Sequence, residues 1–291
     1  MSNYKFSGHE TFQCRHFWLK KGYDFVKKEG DFRSNEALIE LGVGKNMISS
    51  INHWLKVFGL TDYESGELTE FAHKVFGEDS YDPYLEDNGS LYLLHFNILS
   101  NSQLASIYGM VFGEFRKTRI SSEFTNNQLY EFITRKLNIE GVAYSENTIR
   151  NDIKVFLRTY QTSSKRGSKS IEDDFASVLI GLNLIDPVQD VFIDGEQVYK
   201  LQYDDQESLN ELIFLYTIID KFRDQTSISF EEIQAEVSDK FLCNREGTEA
   251  KLNALAENGY LVYKQDAGRK EIQIKSSLDK WTILNKYYGR V

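Results

Sequence analysis

The spacing of apolar residues constrains this chain most: two helical stretches followed by short alternating runs, a pattern that recurs. Ser34 to Leu41 predicts a short helix, with Ser34 as N-cap and Glu36 in the first turn. Gly42 breaks it. Lys45 to Phe58 predicts a second helix, because Met47, Ile48, Ile51, Trp54, Leu55 and Phe58 share one stripe. Asn126 to Leu137 and Ser145 to Tyr160 form another pair, with Ile149, Ile153, Phe156 and Leu157 on the buried stripe. Ile171 to Leu182 predicts a helix ahead of a hairpin, Val191 to Tyr199, that turns at Asp194-Gly195. Phe230 to Phe241 and Arg245 to Asn258 make the last pair, closed by Gly259. Tyr260 to Tyr263 and Glu271 to Ile274 then alternate like strands. Helix, helix, hairpin is the winged-helix order. The expected fold is mainly α, with tandem helix-turn-helix or winged-helix units and small β-hairpins.

Four domains are expected. They are 1–100, an N-terminal helix-turn-helix domain holding the active site; 101–165, a second helical DNA-binding unit; 166–205, a winged-helix-like unit with a hairpin; and 206–291, a C-terminal winged-helix domain. The polar run Gln161 to Ser170 is the clearest linker. A chain of 291 residues buries enough surface to need no disulfide or metal staple. Hydrophobic residues at 41% and charged residues at 27% exclude a disordered chain, and two prolines exclude a proline-rich one. Cys14 and Cys243 stand far apart and in no metal spacing, as expected of free thiols in a reducing cytoplasm. No charged leader follows Met1 and no apolar run reaches membrane length, so a cytoplasmic protein is expected.

A net charge of −10 argues against a polycation that coats nucleic acid. Charge is uneven, however. Ser121 to Ser170 holds 8 Lys/Arg against 5 Asp/Glu, whereas Ile171 to Val291 holds 13 against 23. One DNA-binding face on an acidic body fits this pattern, and so do ordinary solvated faces. Around Gly42, burial of Leu38, Ile48 and Ile51 leaves Lys45, Asn46, Ser49, Ser50 and Asn52 outward, where phosphates and base edges require polar groups. The alternative is a purely structural helical hairpin. Arg150, Lys154 and Arg158 recur every four residues along one helix side. With Lys20, Lys21, Lys165 and Arg166 they complete the expected DNA-binding set.

Two clusters could carry chemistry. In the first, Phe6-Ser7-Gly8-His9-Glu10-Thr11-Phe12 precedes Arg15, so His9 could move a proton, assisted by Glu10, while Arg15 stabilises phosphodiester charge. The structural alternative is a core segment with Arg15 paired to Glu10. In the second, Asp82, Glu86 and Asp87 lie in a loop entered by Pro83 and could ligate Mg²⁺ or Mn²⁺. Here the alternative is helix capping ahead of the run from Leu91. A shared site containing both clusters is the sharper expectation. No phosphate loop, nucleophile elbow or zinc spacing occurs.

The strings His9-Glu10-Thr11-Phe12 with Arg15, Trp18-Leu19-Lys20-Lys21-Gly22, Asp82-Pro83-Tyr84-Leu85-Glu86-Asp87 and Leu93-Leu94-His95 resemble the bacterial domain of unknown function 4007 family. The resemblance runs through nearly the whole chain. It implies a phage-defence protein of DNA phosphorothioation, in which sulfur replaces a non-bridging phosphate oxygen. The implied role is a DNA nickase beside a cysteine desulfurase, an ATP pyrophosphatase and an ATPase. It carries no catalytic residue over. Three functions are therefore in play: a divalent-metal-dependent nickase, a non-enzymatic winged-helix recruiter or transcriptional regulator, and an assembly adaptor.

Overall fold

The computed structural model describes residues 4–161, 177–223, 225–266, 268–275 and 278–290. It is mainly α, with two small three-stranded antiparallel sheets. Two compact units divide the chain, Met1–Gln202 and Tyr203–Val291. The expected boundaries at 100/101 and 165/166 fall inside the first.

The first unit begins with α1 (Trp18–Lys27), α2 (Glu36–Leu41) and α3 (Lys45–Val57). Ser34 Oγ accepts from the Ala37 amide, so the expected capping side chain is in place. Gly42 follows α2 at φ +60°, the left-handed geometry that ends a helix at least cost in a residue without Cβ. Ile48, Ile51, Trp54 and Leu55 are buried as their spacing requires. Leu38 is not: it is 41% exposed, and Ala37 and Leu41 bury that helix instead. Ser50 departs the other way. Placed outward by its polarity, it is fully buried, because it follows Ile48 by two and precedes Trp54 by four on the inward side.

Next come α4 (Glu70–Phe76) and α5 (Asn88–Ser100). The latter is apolar on nearly every side, and Leu91 to Phe96 are all buried, so it runs through the core. Its two asparagines do local work: Asn97 donates to the Phe58 carbonyl at 3.0 Å and Asn101 to that of Val57 at 3.1 Å. They satisfy carbonyls that the end of α3 leaves without helical partners.

A turn of helix, α6 (Ser106–Gly109), widens into a π-helical segment, Met110–Phe115. From it Tyr108 and Phe112 pack on Phe156 and Tyr160 of α8 (Glu146–Tyr160). His95 joins this aromatic core, its Nδ1 2.8 Å from the Tyr160 hydroxyl. Between them lie β1 (Glu123–Phe124) and α7 (Asn126–Ile139), the latter opened by a Thr125/Gln128 capping box. β2 (Ile185–Ile193) and β3 (Glu196–Leu201) close the unit as a hairpin. Asp194 and Gly195 both have positive φ, as a type I′ turn demands. The ladder shifts register between Pro187 and Phe192, and Pro187 has no amide to give it. The first half of the expected helix Ile171 to Leu182, and the linker beyond Gln161, lie outside the described residues. Only Ile180–Leu182, a single 3-10 turn, is described as helical there.

The second unit runs α9 (Glu211–Lys221), β4 (Ser227–Ser229), α10 (Phe230–Glu236), α11 (Arg245–Glu257), β5 (Leu261–Asp266), β6 (Arg269–Ile274) and α12 (Lys280–Tyr287). The expected helix Phe230 to Phe241 breaks at Val237 and resumes as a 3-10 turn, Ser238–Phe241. Asn244 Oδ1 accepts from the Gly247 amide at 2.8 Å and starts α11. The two sheets share one order, first strand, third, second: β1-β3-β2 and β4-β6-β5.

Candidate functional site

His9 lies inside the first unit. Ser7 and Glu10 both adopt left-handed backbone, at φ 61° and 56°, and amides of the turn bond back to Ser7 and His9 carbonyls. Strained non-glycine residues persist only where their surroundings hold them. Here the tight turn drives Gly8 against the His53 ring, where a Cβ would collide with Cε1. His9 itself stacks on Trp54 with ring centroids 5.9 Å apart, and its Nε2 stands 3.4 Å from Asp152 Oδ1. Neither ring nitrogen has a hydrogen-bond partner among the described residues. Asp152, on α8, also accepts from the Ser7 amide at 3.0 and 3.2 Å. Burial, reinforced by His9, Lys5 and Lys56, pulls the His53 pKa down to about 3. His53 is thus neutral, and its buried Nε2 is unpartnered among the described residues.

The other members of the first cluster point elsewhere. Glu10 is exposed. The Arg15 guanidinium lies over the Trp18 ring at 5.3 Å, an environment for a cation rather than a pairing with Glu10. His16 joins this segment to the acidic loop, donating from Nε2 to the Tyr84 carbonyl at 2.6 Å.

In that loop, Asp82 is buried and both its oxygens are engaged: Oδ1 accepts from the Glu86 amide and Oδ2 from the Asp87 amide, each at 3.0 Å. Asp87 is the N-cap of α5, accepting from the Gly89 amide at 2.8 Å. Glu86 is exposed. Asp82 and Asp87 therefore act as backbone caps, and as placed they do not fit an open ligand set. Among the described residues no group of three His, Cys, Asp or Glu side chains could hold a metal ion.

The expected DNA-binding residues sort by what they touch. Lys45, Asn46 and Ser49 are exposed on the first turns of α3, just after the Gly42 turn. Lys20 pairs with Asp24 at 2.5 Å, and Lys21 donates to the Leu41 carbonyl at 2.9 Å. Arg150 pairs with Glu146 at 2.8 Å and lies 4.1 Å over the Tyr130 ring. Lys154 and Arg158 are exposed and make no ion pair among the described residues. Lys165 and Arg166 lie outside the described residues.

Sequence reasoning missed Asp152 and His53. Asp152 had a signal: it follows Ile149 by three and precedes Phe156 by four, a carboxylate on a buried stripe. His53, beside Trp54, had none.

The chain matches the model of a family described as "Protein of unknown function (DUF4007)" over residues 6–288. No curated relative matches it. It is similar to a magnesium ion-bound SspB crystal structure, with a TM-score of 0.83 and 26% identity over 98% of this chain and 88% of that one. A second SspB crystal structure gives a TM-score of 0.82 at the same identity and coverage.

Proposed function

The chain belongs to the DUF4007 family, and from that premise we propose that it is the DNA-binding component of a phosphorothioate DNA-modification system that opens one strand for sulfur insertion. The observation that carries the DNA-binding part is the α2–Gly42–α3 corner, which presents Lys45, Asn46 and Ser49 at a helix start. Amide groups at that end attract phosphate, and asparagine can read adenine through two hydrogen bonds. The common strand order of the two sheets supports a winged-helix unit in each part of the chain. The modification context rests on the family and on the likeness to SspB. In that setting its partners are DNA, a cysteine desulfurase, an ATP pyrophosphatase and an ATPase.

α8 supplies a second DNA-facing surface in this reading. Removing a side chain that neutralises one phosphate flattens the salt dependence of binding by about one unit. Lys154→Gln with Arg158→Gln should therefore flatten the slope by about two, as measured by anisotropy across a salt series. Arg150→Gln should add less than one, because Glu146 and Tyr130 already engage that guanidinium. An unchanged slope in the folded double variant rejects α8 as a phosphate-binding helix.

Strand opening with Mg²⁺ or Mn²⁺ is the finer part of the proposal; one of the similar structures holds magnesium. The test is conversion of supercoiled plasmid to open circles with either cation and with chelator. His9→Ala or Asp87→Ala should lower nicking by about two orders of magnitude if these groups act directly. Asp87 also caps α5, so Glu86→Gln, at an exposed carboxylate, is the cleaner companion. The second reading, a non-enzymatic recruiter, is favoured by the capping roles of Asp82 and Asp87. It requires duplex binding without open circles under any cation.

A further inference from the structure

We propose that a groove beside α1 holds unpaired DNA by stacking its bases on Phe17 and Tyr84. The inference rests on the DNA-binding reading above and names a second, single-stranded ligand for the same unit. The groove has a volume of about 500 Å³, within the range of pockets that enclose small ligands. Phe17, Tyr84, Lys20, Lys21 and Lys28 border it, over Phe25 and Leu41. Phe17 is 66% exposed and Tyr84 62% exposed, so core packing explains neither.

His16 nevertheless ties the two segments together, through the ring of Phe17 and the backbone of Tyr84. The His16 ring meets Phe17 edge-on at 5.2 Å, and His16 Nε2 donates to the Tyr84 carbonyl at 2.6 Å. Two exposed rings beside lysines are the parts of a single-strand site: faces on which bases stack, and cations along the phosphates. A duplex offers no free base faces. Charge also separates nucleic acid from a protein partner. Lys20, Lys21 and Lys28 outnumber the carboxylates Asp24 and Glu40, and lysine is depleted at protein interface cores. Lys28 makes no ion pair among the described residues, which leaves its ammonium free for phosphate.

The test uses the full chain and fluorescence anisotropy with three probes: oligo(dT), an abasic strand of equal length, and a duplex. Stacking should make oligo(dT) bind at least about tenfold tighter than the abasic strand. Phe17→Ser with Tyr84→Ser should abolish that preference while duplex affinity stays within about twofold. Both positions are exposed, so the variant should fold. As an independent reading, Phe17→Trp should bind oligo(dT) like the native chain, with tryptophan quenching that the abasic strand does not cause. Equal affinity for the oligo(dT) and abasic probes, or a preference that survives the double variant, overturns the groove assignment and leaves duplex binding untouched. Failure of the native chain to bind any of the three probes overturns the DNA-binding reading itself.

Discussion

Asp152→Ala should destabilise the first unit by about 3 kcal/mol, the scale of breaking a buried charge-assisted pairing. The carboxylate is 2% exposed, accepts the Ser7 amide through both oxygens and faces His9. Its removal leaves that amide without this acceptor and deprives the His9 ring of its polar neighbour. The strained turn at Ser7 and Glu10 is then held less firmly. Asp152→Asn keeps an acceptor in place and should cost less. Two compact units need not unfold together, so a urea titration should be followed by probes in each. Only the transition of the first unit should move. A shift below about 0.5 kcal/mol in Asp152→Ala would show that the turn is held by its other contacts, without this carboxylate. A His9→Phe/Asp152→Ala cycle measures the coupling, and the double variant should lose less than the sum of the singles.

This pair also bears on nicking. A histidine that stacks on Trp54 and faces a buried carboxylate can lower activity on substitution simply by loosening the turn. Activity of His9→Ala therefore needs its stability alongside. Loss of nicking in a variant as stable as the native chain assigns a chemical role; loss that tracks unfolding assigns a structural one.

How much the sequence told depended on whether burial was one-sided. α3 and α8 were legible to within a residue because each has one apolar stripe and one polar side. The hairpin was legible from Asp194-Gly195, because few residues accept positive φ at both turn positions. α9 was not, and α5 only through a cap at Asp87 ahead of Leu91, for the opposite reason. Leu91 to Phe96 and Ile213 to Ile218 are buried without a break, the polar His95 and Thr217 included, so no exposed side sets a helical period there. The start of β2 was hidden by Pro187, which reads as an interruption and sits instead where the ladder shifts. The chemical clusters were harder still. His9 and Asp82 look alike as exposed ligands or as buried structural groups, and only the local backbone decides. Left-handed Ser7 and Glu10 turn His9 inward; the amides of Glu86 and Asp87 claim Asp82. Neither event has a composition signal.

Below neutrality, His53 should make the first unit progressively less stable. Its ring is 9% exposed, pressed under Gly8 and flanked by His9, Trp54 and the cations Lys5 and Lys56. Burial, then those positive neighbours, lower its folded pKa from 6.5 to about 3. Between these values the unfolded chain binds a proton that the folded chain refuses. Stability is therefore complete above pH 6.5 and is lost as pH falls, by up to about 1.4 kcal/mol per unit. From pH 7 to pH 5 the contribution amounts to about 2 kcal/mol. Carboxylates titrate near the lower end of this window, so the native chain alone does not isolate the histidine. The difference between native and His53→Leu does, because groups remote from His53, the carboxylates of the second unit among them, contribute equally to both. Unfolding free energies at intervals from pH 7 to pH 5 should show the variant gaining about 2 kcal/mol on the native chain. A flat difference would mean that His53 keeps its ordinary affinity for protons, with the ring reaching water when the Ser7–Glu10 turn opens.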